Sequence, residues 1–337
     1  MNKVTSAEVA ARAGVSQSAV SRVFTPGASA SAKTVKKVKQ AAKELGYRPN
    51  SLARAMVSGK SRIIGLVVAY LENQFYPVAL ERLSNALQAK GYHLLVFTAP
   101  NSTEGVDKVV EDLMGYQVDG IIAASVSLSS DLAERAQAAE IPVVLFNRAQ
   151  KGAGLSNVTS ANRNGARRAT EFLIEGGHNR IAHIAGWQGA STGRDRQAGF
   201  TEAMDAAGLA PFAMVDGMYS RPVAMECARQ IASGSQIPDA IFVGNDHMAF
   251  GVIDALRGLG LIPGQDISVV GYDDVPLAAW EAYDLTTFRQ PVNRMVEATI
   301  DILMHQIDSA EPHAETIEIE GKLILRGSAR IPQGWTT

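Results

Sequence analysis

The chain has 337 residues, 46% of them hydrophobic, with a formal net charge of -2. It is globular, long enough for two or three cores and too polar throughout for a membrane span. The single cysteine, Cys227, excludes an intrachain disulfide and fits a reducing compartment, and no apolar signal-peptide stretch follows Met1, so a cytoplasmic location is expected.

The small net charge hides an asymmetry. Residues 1 to 62 hold twelve Lys and Arg against only Glu8 and Glu44, which makes that segment +10 and leaves -12 for the remainder. A basic head on an acidic body implies a polyanionic partner for the head alone.

Thr5-Ser6-Ala7-Glu8 is a capping box, so a first helix begins near Ser6 with Val9, Ala10 and Ala13 on one face. Gly14 interrupts it, at a cost of roughly 1 kcal/mol relative to alanine in a helix interior. In return the chain turns there, and Ser16 is placed to cap a second helix whose apolar residues are Val20, Val23 and Phe24. This is helix-turn-helix spacing. On a helical wheel Ser18, Ser21 and Arg22 face outward, with Gln17 on the leading flank. Such side chains suit base edges: Arg for guanine, Gln for adenine, Ser for either. A third helix is expected from about Ala32 to Leu45, capped by Ser31 and stopped by Gly46, with Val35, Val38, Ala42 and Leu45 on its core face. Beyond Pro49, Asn50 can cap a short apolar helix containing Leu52, Ala53, Ala55 and Met56. Eight or nine residues are marginal as an isolated helix.

From Ile63 onward, apolar runs ("IIGLVVAY", "YHLLVFTA", "VDGIIAAS", "IPVVLFN", "RIAHIAG", "DAIFVGND", "DISVVGYDD") alternate with amphipathic helices such as Pro77 to Lys90 and Asn164 to Glu175. The pattern predicts α/β architecture with parallel sheets covered on both faces. It breaks around "NRAQKGAGLSNVTSAN", where a crossing between two similar halves is expected. Ligands of open α/β sheets bind beyond the carboxyl ends of the strands. Asn73, Phe75, Asn147, Arg148, Arg194 (in "STGRDRQAGF"), Asn245, Asp246 and Asp273 follow those runs and are the candidates. Amides, carboxylates, guanidinium forks and an aromatic face suit a polyol or nucleoside. Asn245 and Asp274 are equally readable as turn formers or helix caps.

The stretches "VTSAEVAARAGVSQSAVSRVF", "SAKTVKKVKQAAKELGYRPN" and "GYDD" resemble the LacI/GalR family of bacterial transcription regulators, from Val4 to about Arg330. The resemblance implies a helix-turn-helix DNA-binding domain at 1-49, a hinge helix and linker at 50-61, and an effector-binding and dimerisation domain at 62-332. The last would be two periplasmic-binding-protein-like subdomains, an N-subdomain at about 62-160 and 290-320 and a C-subdomain at about 161-289 and 321-332. It implies a homodimer on a double-stranded operator, with affinity set by a small effector, a sugar or related metabolite, in the interdomain cleft. The expected DNA-contacting set is Thr5, Ser16, Gln17, Ser18, Ser21, Arg22 and Ser31 in the head, with Asn50, Ala53 and Met56 in the hinge. Met56 stands where the family usually carries the leucine that wedges into the minor groove. The resemblance carries effector contacts to Asn147, Arg194, Tyr219, Asn245 and Asp273. Ala161-Asn162 replaces a common Asp-Asn pair, and Asn147 a frequent Asp, so the pocket is expected to be less acidic than usual.

No cofactor or metal is expected, and no enzyme. "GAGLSN" lacks the strand, helix and acidic residue of a dinucleotide site, and His178, His183 and His247 lack metal spacing. The alternative reading is a sugar-transport solute-binding protein, which needs a secretion signal and has no use for residues 1 to 60. After "RIPQGWTT" no leucine heptad follows, so a dimer rather than a tetramer is expected.

Overall fold

The computed structural model describes residues 4–24, 28–48, 60–69, 71–99, 103–150, 154–309 and 313–336. They fall into two compact units that divide between Arg62 and Ile63.

The first unit is a three-helix head. Helix α1 (Ser6–Ala13) opens on the capping box: Glu8 N donates to Thr5 Oγ1 at 3.4 Å, and Thr5 N donates to Glu8 Oε2 at 2.7 Å. Gly14 ends it at φ 65°, a left-handed conformation that a side chain would strain. The Ser16 hydroxyl then accepts from Ala19 N at 3.2 Å, and α2 (Gln17–Phe24) begins. Helix α3 (Ala32–Leu45) is capped by Ser31, which accepts from Thr34 N, and stopped by Gly46. Val9, Ala10, Ala13, Val20, Val38, Ala41 and Ala42 form the core. Leu45 packs half-buried against that core, as expected, whereas Val35 is half-buried outside it and Ala41 is buried in it. The small alanines let the helices approach closely.

The second unit contains two six-stranded sheets. The first is built from β1 (Ile63–Val68), α4 (Phe75–Ala89), β2 (His93–Thr98), α5 (Thr103–Met114), β3 (Gly120–Ala124), α6 (Ser130–Ala138), β4 (Val143–Phe146) and β5 (Ser156–Ser160). The chain then crosses into α7 (Asn162–Glu175), β6 (Ile181–Ala185), α8 (Ser191–Ala206), β7 (Ala213–Asp216), α9 (Arg221–Ile231), β8 (Ala240–Val243), α10 (Asp246–Gly258), β9 (Ser268–Asp273) and β10 (Thr286–Arg289). It returns through α11 (Val292–Asp308), which packs on α4, β4 and β5, and through β11 (Thr316–Ile319), then crosses again to β12 (Lys322–Ile324). The strand orders are β11-β5-β4-β3-β1-β2 and β12-β10-β9-β8-β6-β7, all parallel except that β12 runs antiparallel to β10. Three connections therefore join the lobes: around Ala161, at Gln290–Pro291 and at Glu320–Gly321.

The central strands β3, β4, β5, β6, β8 and β9 are buried at every residue, as expected for parallel strands covered on both faces. The stretch in which the crossing is expected holds it, around Ala161, and also contains β5, whose sequence is SNVTS. The polar side chains of β5 are partly paired: Ser156 Oγ accepts from Glu315 N at 3.0 Å, and Asn157 Nδ2 donates to Thr316 Oγ1 at 2.9 Å, while Asn157 Oδ1 has no partner among the described residues. Helices α4 and α7 each begin two residues before the predicted start. Close packing of α7 on α8 depends on Gly199, where a methyl group would collide with the Arg163 carbonyl oxygen. No helix among the described residues is long and apolar enough to cross a membrane.

Candidate functional site

The carboxyl ends of the two sheets contribute a cleft lined by Asn73, Tyr76, Ser125, Asn147, Thr192, Arg196, Tyr219, Asn245 and Asp273. The space between them is about 10 Å³, room for about one water molecule.

Asp273 is the hub, at the end of β9 and only 4% exposed. It accepts from Gln290 Nε2 at 2.7 Å and, across the cleft, from Asn73 Nδ2 at 3.1 Å, while Arg196 Nη2 stands 3.5 Å away. Its φ of 127° is a strained backbone held by these bonds. Burial raises its pKa above the usual carboxylate range, against the pull of Arg196. Arg196, 2% exposed, donates to Asn162 Oδ1 at 2.8 Å and Gly244 O at 2.6 Å, and its guanidinium lies 3.8 Å from the Tyr272 ring centroid.

Arg194, the guanidinium singled out from the sequence, is exposed and donates to the Gln188 and Gly189 carbonyls of its own loop. The cleft arginine is Arg196, two residues on. Residues 192, 193, 196, 199 and 200 form the buried stripe of α8, and position 194 falls off it. Phe75 is also displaced. Its ring packs nearly parallel to Phe146, with centroids 6.2 Å apart, while its neighbour Tyr76 lines the cleft.

Asn147, at φ 56° after β4, donates to Tyr76 OH at 3.2 Å. Arg148 is buried behind the cleft wall, donating to Ser125 O at 2.7 Å and Ser125 Oγ at 3.1 Å. Tyr219 donates to Thr192 Oγ1 at 2.9 Å. Asn245 is both a cap and a cleft residue: its Oδ1 accepts from Met248 N at the start of α10. Asp246 lies behind it, fully buried, accepting from Thr287 Oγ1 at 2.5 Å and Val275 N at 2.9 Å. Burial, aided by the Asp273 charge, pushes its pKa up to about 8. Tyr76, Ser125, Thr192 and Arg196 were absent from the sequence-derived set. Ser125 directly follows β3, so the strand-end rule reaches it.

Asn147 Oδ1, Asn245 Nδ2, Gln290 Oε1 and the Arg148 Nε and Nη1 have no hydrogen-bond partner among the described residues. Of these, Asn147 and Asn245 line the cleft, and an unpaired acceptor and an unpaired donor there match hydroxyl groups, which both give and accept. His183, by contrast, is a core histidine stacked between Phe200 and Phe242, with burial lowering its pKa to about 4.

In the head, Ser16, Gln17, Ser18, Ser21 and Arg22 are all exposed. Gln17 Nε2 donates to Ser6 Oγ at 2.8 Å, Ser16 and Ser18 share a 3.0 Å hydroxyl contact, and Arg22 Nε donates to Ser18 O at 3.4 Å. Thr5 and Ser31 are exposed hydroxyls engaged at their helix starts. Asn50, Ala53 and Met56 lie outside the described residues.

Residues 5–50 match the bacterial regulatory proteins of the lacI family, and residues 170–329 match the periplasmic binding protein-like domain. Over 325 residues the chain is 33% identical to the ribose operon repressor of Escherichia coli strain K12, covering 96% of this chain and 98% of that protein. The chain belongs to the lacI family of bacterial regulatory proteins. It is also 32% identical to the HTH-type transcriptional repressor PurR of Edwardsiella ictaluri, over 95% of each chain. Among solved structures, the lac repressor dimer bound to operator and the anti-inducer ONPF superposes with a TM-score of 0.86 at 28% identity, covering 97% of this chain and 99% of that one. The cellobiose complex of the transcriptional regulator CelR superposes at 0.73 with 30% identity, covering 97% and 100%. These relatives are transcriptional regulators rather than enzymes, and the lacI-family match of the head displaces the transport reading.

Proposed function

We propose that this lacI-family protein represses transcription in the cytoplasm as a homodimer on a pseudo-palindromic operator, and that a small polyhydroxylated effector in the cleft sets its affinity. It has no catalytic role in this reading. Residues 1-49 bind DNA, 50-61 form the hinge and 62-332 bind the effector and the second copy. The observation that carries the reading is the exposed Gln17, Ser18 and Arg22 face of α2, in a head of charge opposite to that of the body. Ser21 extends that face, while Thr5, Ser16 and Ser31 present helix starts to phosphates. Asn50, Ala53 and Met56 act in the minor groove.

In the body, Asp273 and Arg196 grip paired hydroxyls, with Asn73, Asn147, Tyr219 and Asn245 around them and Arg148 supporting the wall. A sugar-sized ligand needs far more room than about 10 Å³, so it enters as the lobes part and the Asn73–Asp273 bond is exchanged for ligand contacts. The lobe angle is then the variable that effector binding changes.

The test is a gel shift with operator-like DNA at two salt concentrations, followed by a thermal-shift screen of the full chain against sugars, sugar acids, polyols and nucleobases. A ligand at 100 times its dissociation constant stabilises by roughly 2.7 kcal/mol. Binding that does not discriminate operator from random DNA at either salt overturns the reading.

A further inference from the structure

A second cavity, of about 580 Å³, lies at the connection from β10 to α11. It is within the size range of small-molecule sites, roughly 300–1,000 Å³. Four arginines from separate parts of the chain line it: Arg82 on α4, Arg289 and Arg294 on either side of the connection, and Arg326 after β12. The lining holds two carboxylates. Asp273 is matched by Arg196 on its cleft side. Asp274, 5% exposed in its side chain, is shared by Arg289 and Arg326, its Oδ2 taken by Arg289 Nε and its Oδ1 by Arg326 Nη2 at 2.7 Å. One carboxylate thus faces four guanidiniums, and the cavity keeps a surplus of positive charge.

Two further features point the same way. The first turn of α11 borders the cavity, carries no acidic residue and has no side-chain cap at Pro291. A helix start of that kind favours an anion. Gln290, 2% exposed, lines the same cavity, and its Oε1 has no partner among the described residues. Among the described residues Gln290 Oε1 has no donor, Arg82 is held only by the neutral Asn293 Oδ1, and Arg294 adds a second guanidinium without an anion, so the lining suits a ligand carrying both a hydroxyl and a multiply charged group.

We propose that this cavity binds the phosphate monoester of a small hydroxylated metabolite, with Arg82 and Arg294 gripping the phosphate, Arg289 and Arg326 supplying the field, and Gln290 accepting from a hydroxyl. Planar guanidiniums match phosphate oxygens in pairs of parallel hydrogen bonds, so a dianion gains more here than a monocarboxylate. The walls come from both lobes, α4 and α11 from one and residues 273–276, 279, 289 and 326 from the other, so a bound phosphate ester braces their relative angle. Gln290 also connects the two cavities, because its Nε2 donates to Asp273 at 2.7 Å. This site is distinct from the cleft of the proposed function and is tested without DNA.

The experiment is calorimetric titration of the full chain with glucose 6-phosphate, glucose and inorganic phosphate at matched ionic strength, on wild type, Arg22→Ala and the double variant Arg82→Gln/Arg294→Gln. Thermal unfolding confirms that each variant is folded. Glucose 6-phosphate is expected to bind wild type and Arg22→Ala alike, to be displaced by inorganic phosphate, and to lose at least tenfold in affinity in the double variant. Absence of binding to wild type overturns the proposal. So does binding that survives the double substitution, which would place the ligand in the cleft, or binding lost in Arg22→Ala, which would place it on the head.

Discussion

Replacing Arg196 by alanine removes three interactions at once. Asn162 Oδ1 and Gly244 O lose their donor at 2.8 and 2.6 Å, and Asp273, 4% exposed, loses the only guanidinium within 4 Å of it among the described residues. Breaking a buried ion pair from one side costs about 3–5 kcal/mol, because the surviving charge stays desolvated. Loss of the guanidinium stacked on Tyr272 adds to that. For a unit of this size the expected fall in Tm is roughly 10 °C, at about 2–4 °C per kcal/mol. Arg194→Ala is the internal comparison. That side chain is exposed and bonds only to the carbonyls of its own loop, so its removal should cost no more than about 1 kcal/mol. Urea and thermal unfolding of both variants in the full chain measure the contrast. An Arg194→Ala loss equal to or larger than that of Arg196→Ala refutes the placement of the two arginines and the hub role of Asp273.

Arg22→Ala should weaken specific operator binding by roughly 1–3 kcal/mol and flatten preference at one base pair per half-site, measured by anisotropy on single-base operator variants; equal weakening on all DNA would move Arg22 to the phosphates. Asp246 has a folded pKa raised from 3.8 to about 8, so the native state holds its proton more tightly than the unfolded chain and the wild type loses stability as pH climbs between those values. Asp246→Asn, neutral at every pH, should therefore gain in Tm relative to wild type from pH 5 to 8 and plateau above; a pH-independent difference contradicts the buried neutral carboxyl. Met56→Gly should weaken operator binding much more than binding to random DNA, and equal losses on both would remove the minor-groove wedge from the account.

The head was legible because its signals are local. A capping box, a glycine at the turn and helix-period alanines fix α1 to α3 within a few residues of one another in sequence. The departure there, at Val35, reflects which helix neighbours cover it, a property of packing rather than of period. The α/β body was legible for a similar reason, since its central strands are continuous apolar runs. The polar strand β5 was not: in the buried sheet the Ser156 hydroxyl and the Asn157 Nδ2 find their partners in Glu315, Gln306 and Thr316, about 150 residues away in sequence. In the cleft, the strand-end rule reached Asn73, Asn147, Asn245 and Asp273, which line it. It cannot reach groups on helix faces. Thr192 and Arg196 lie one turn apart on α8, and the 3.6-residue period of the Thr192, Arg196, Gly199, Phe200 stripe favours Arg196 over Arg194. Tyr76 enters only because α4 begins earlier than expected and brings its ring to the cleft. The pairing of Asn73 with Asp273, 200 residues apart, comes from the closure of two lobes and has no sequence signature.

In the proposed function, occupation of the cleft controls the hold of the head on DNA. The most direct test of that control is a fluorescence titration of labelled operator with the full chain, with and without a cleft ligand identified by thermal shift, on wild type and Asp273→Asn. Operator affinity in wild type should change at least tenfold on adding ligand, and the variant should keep its ligand-free affinity while losing the response. An operator affinity indifferent to a ligand shown to bind the wild-type cleft would contradict that control.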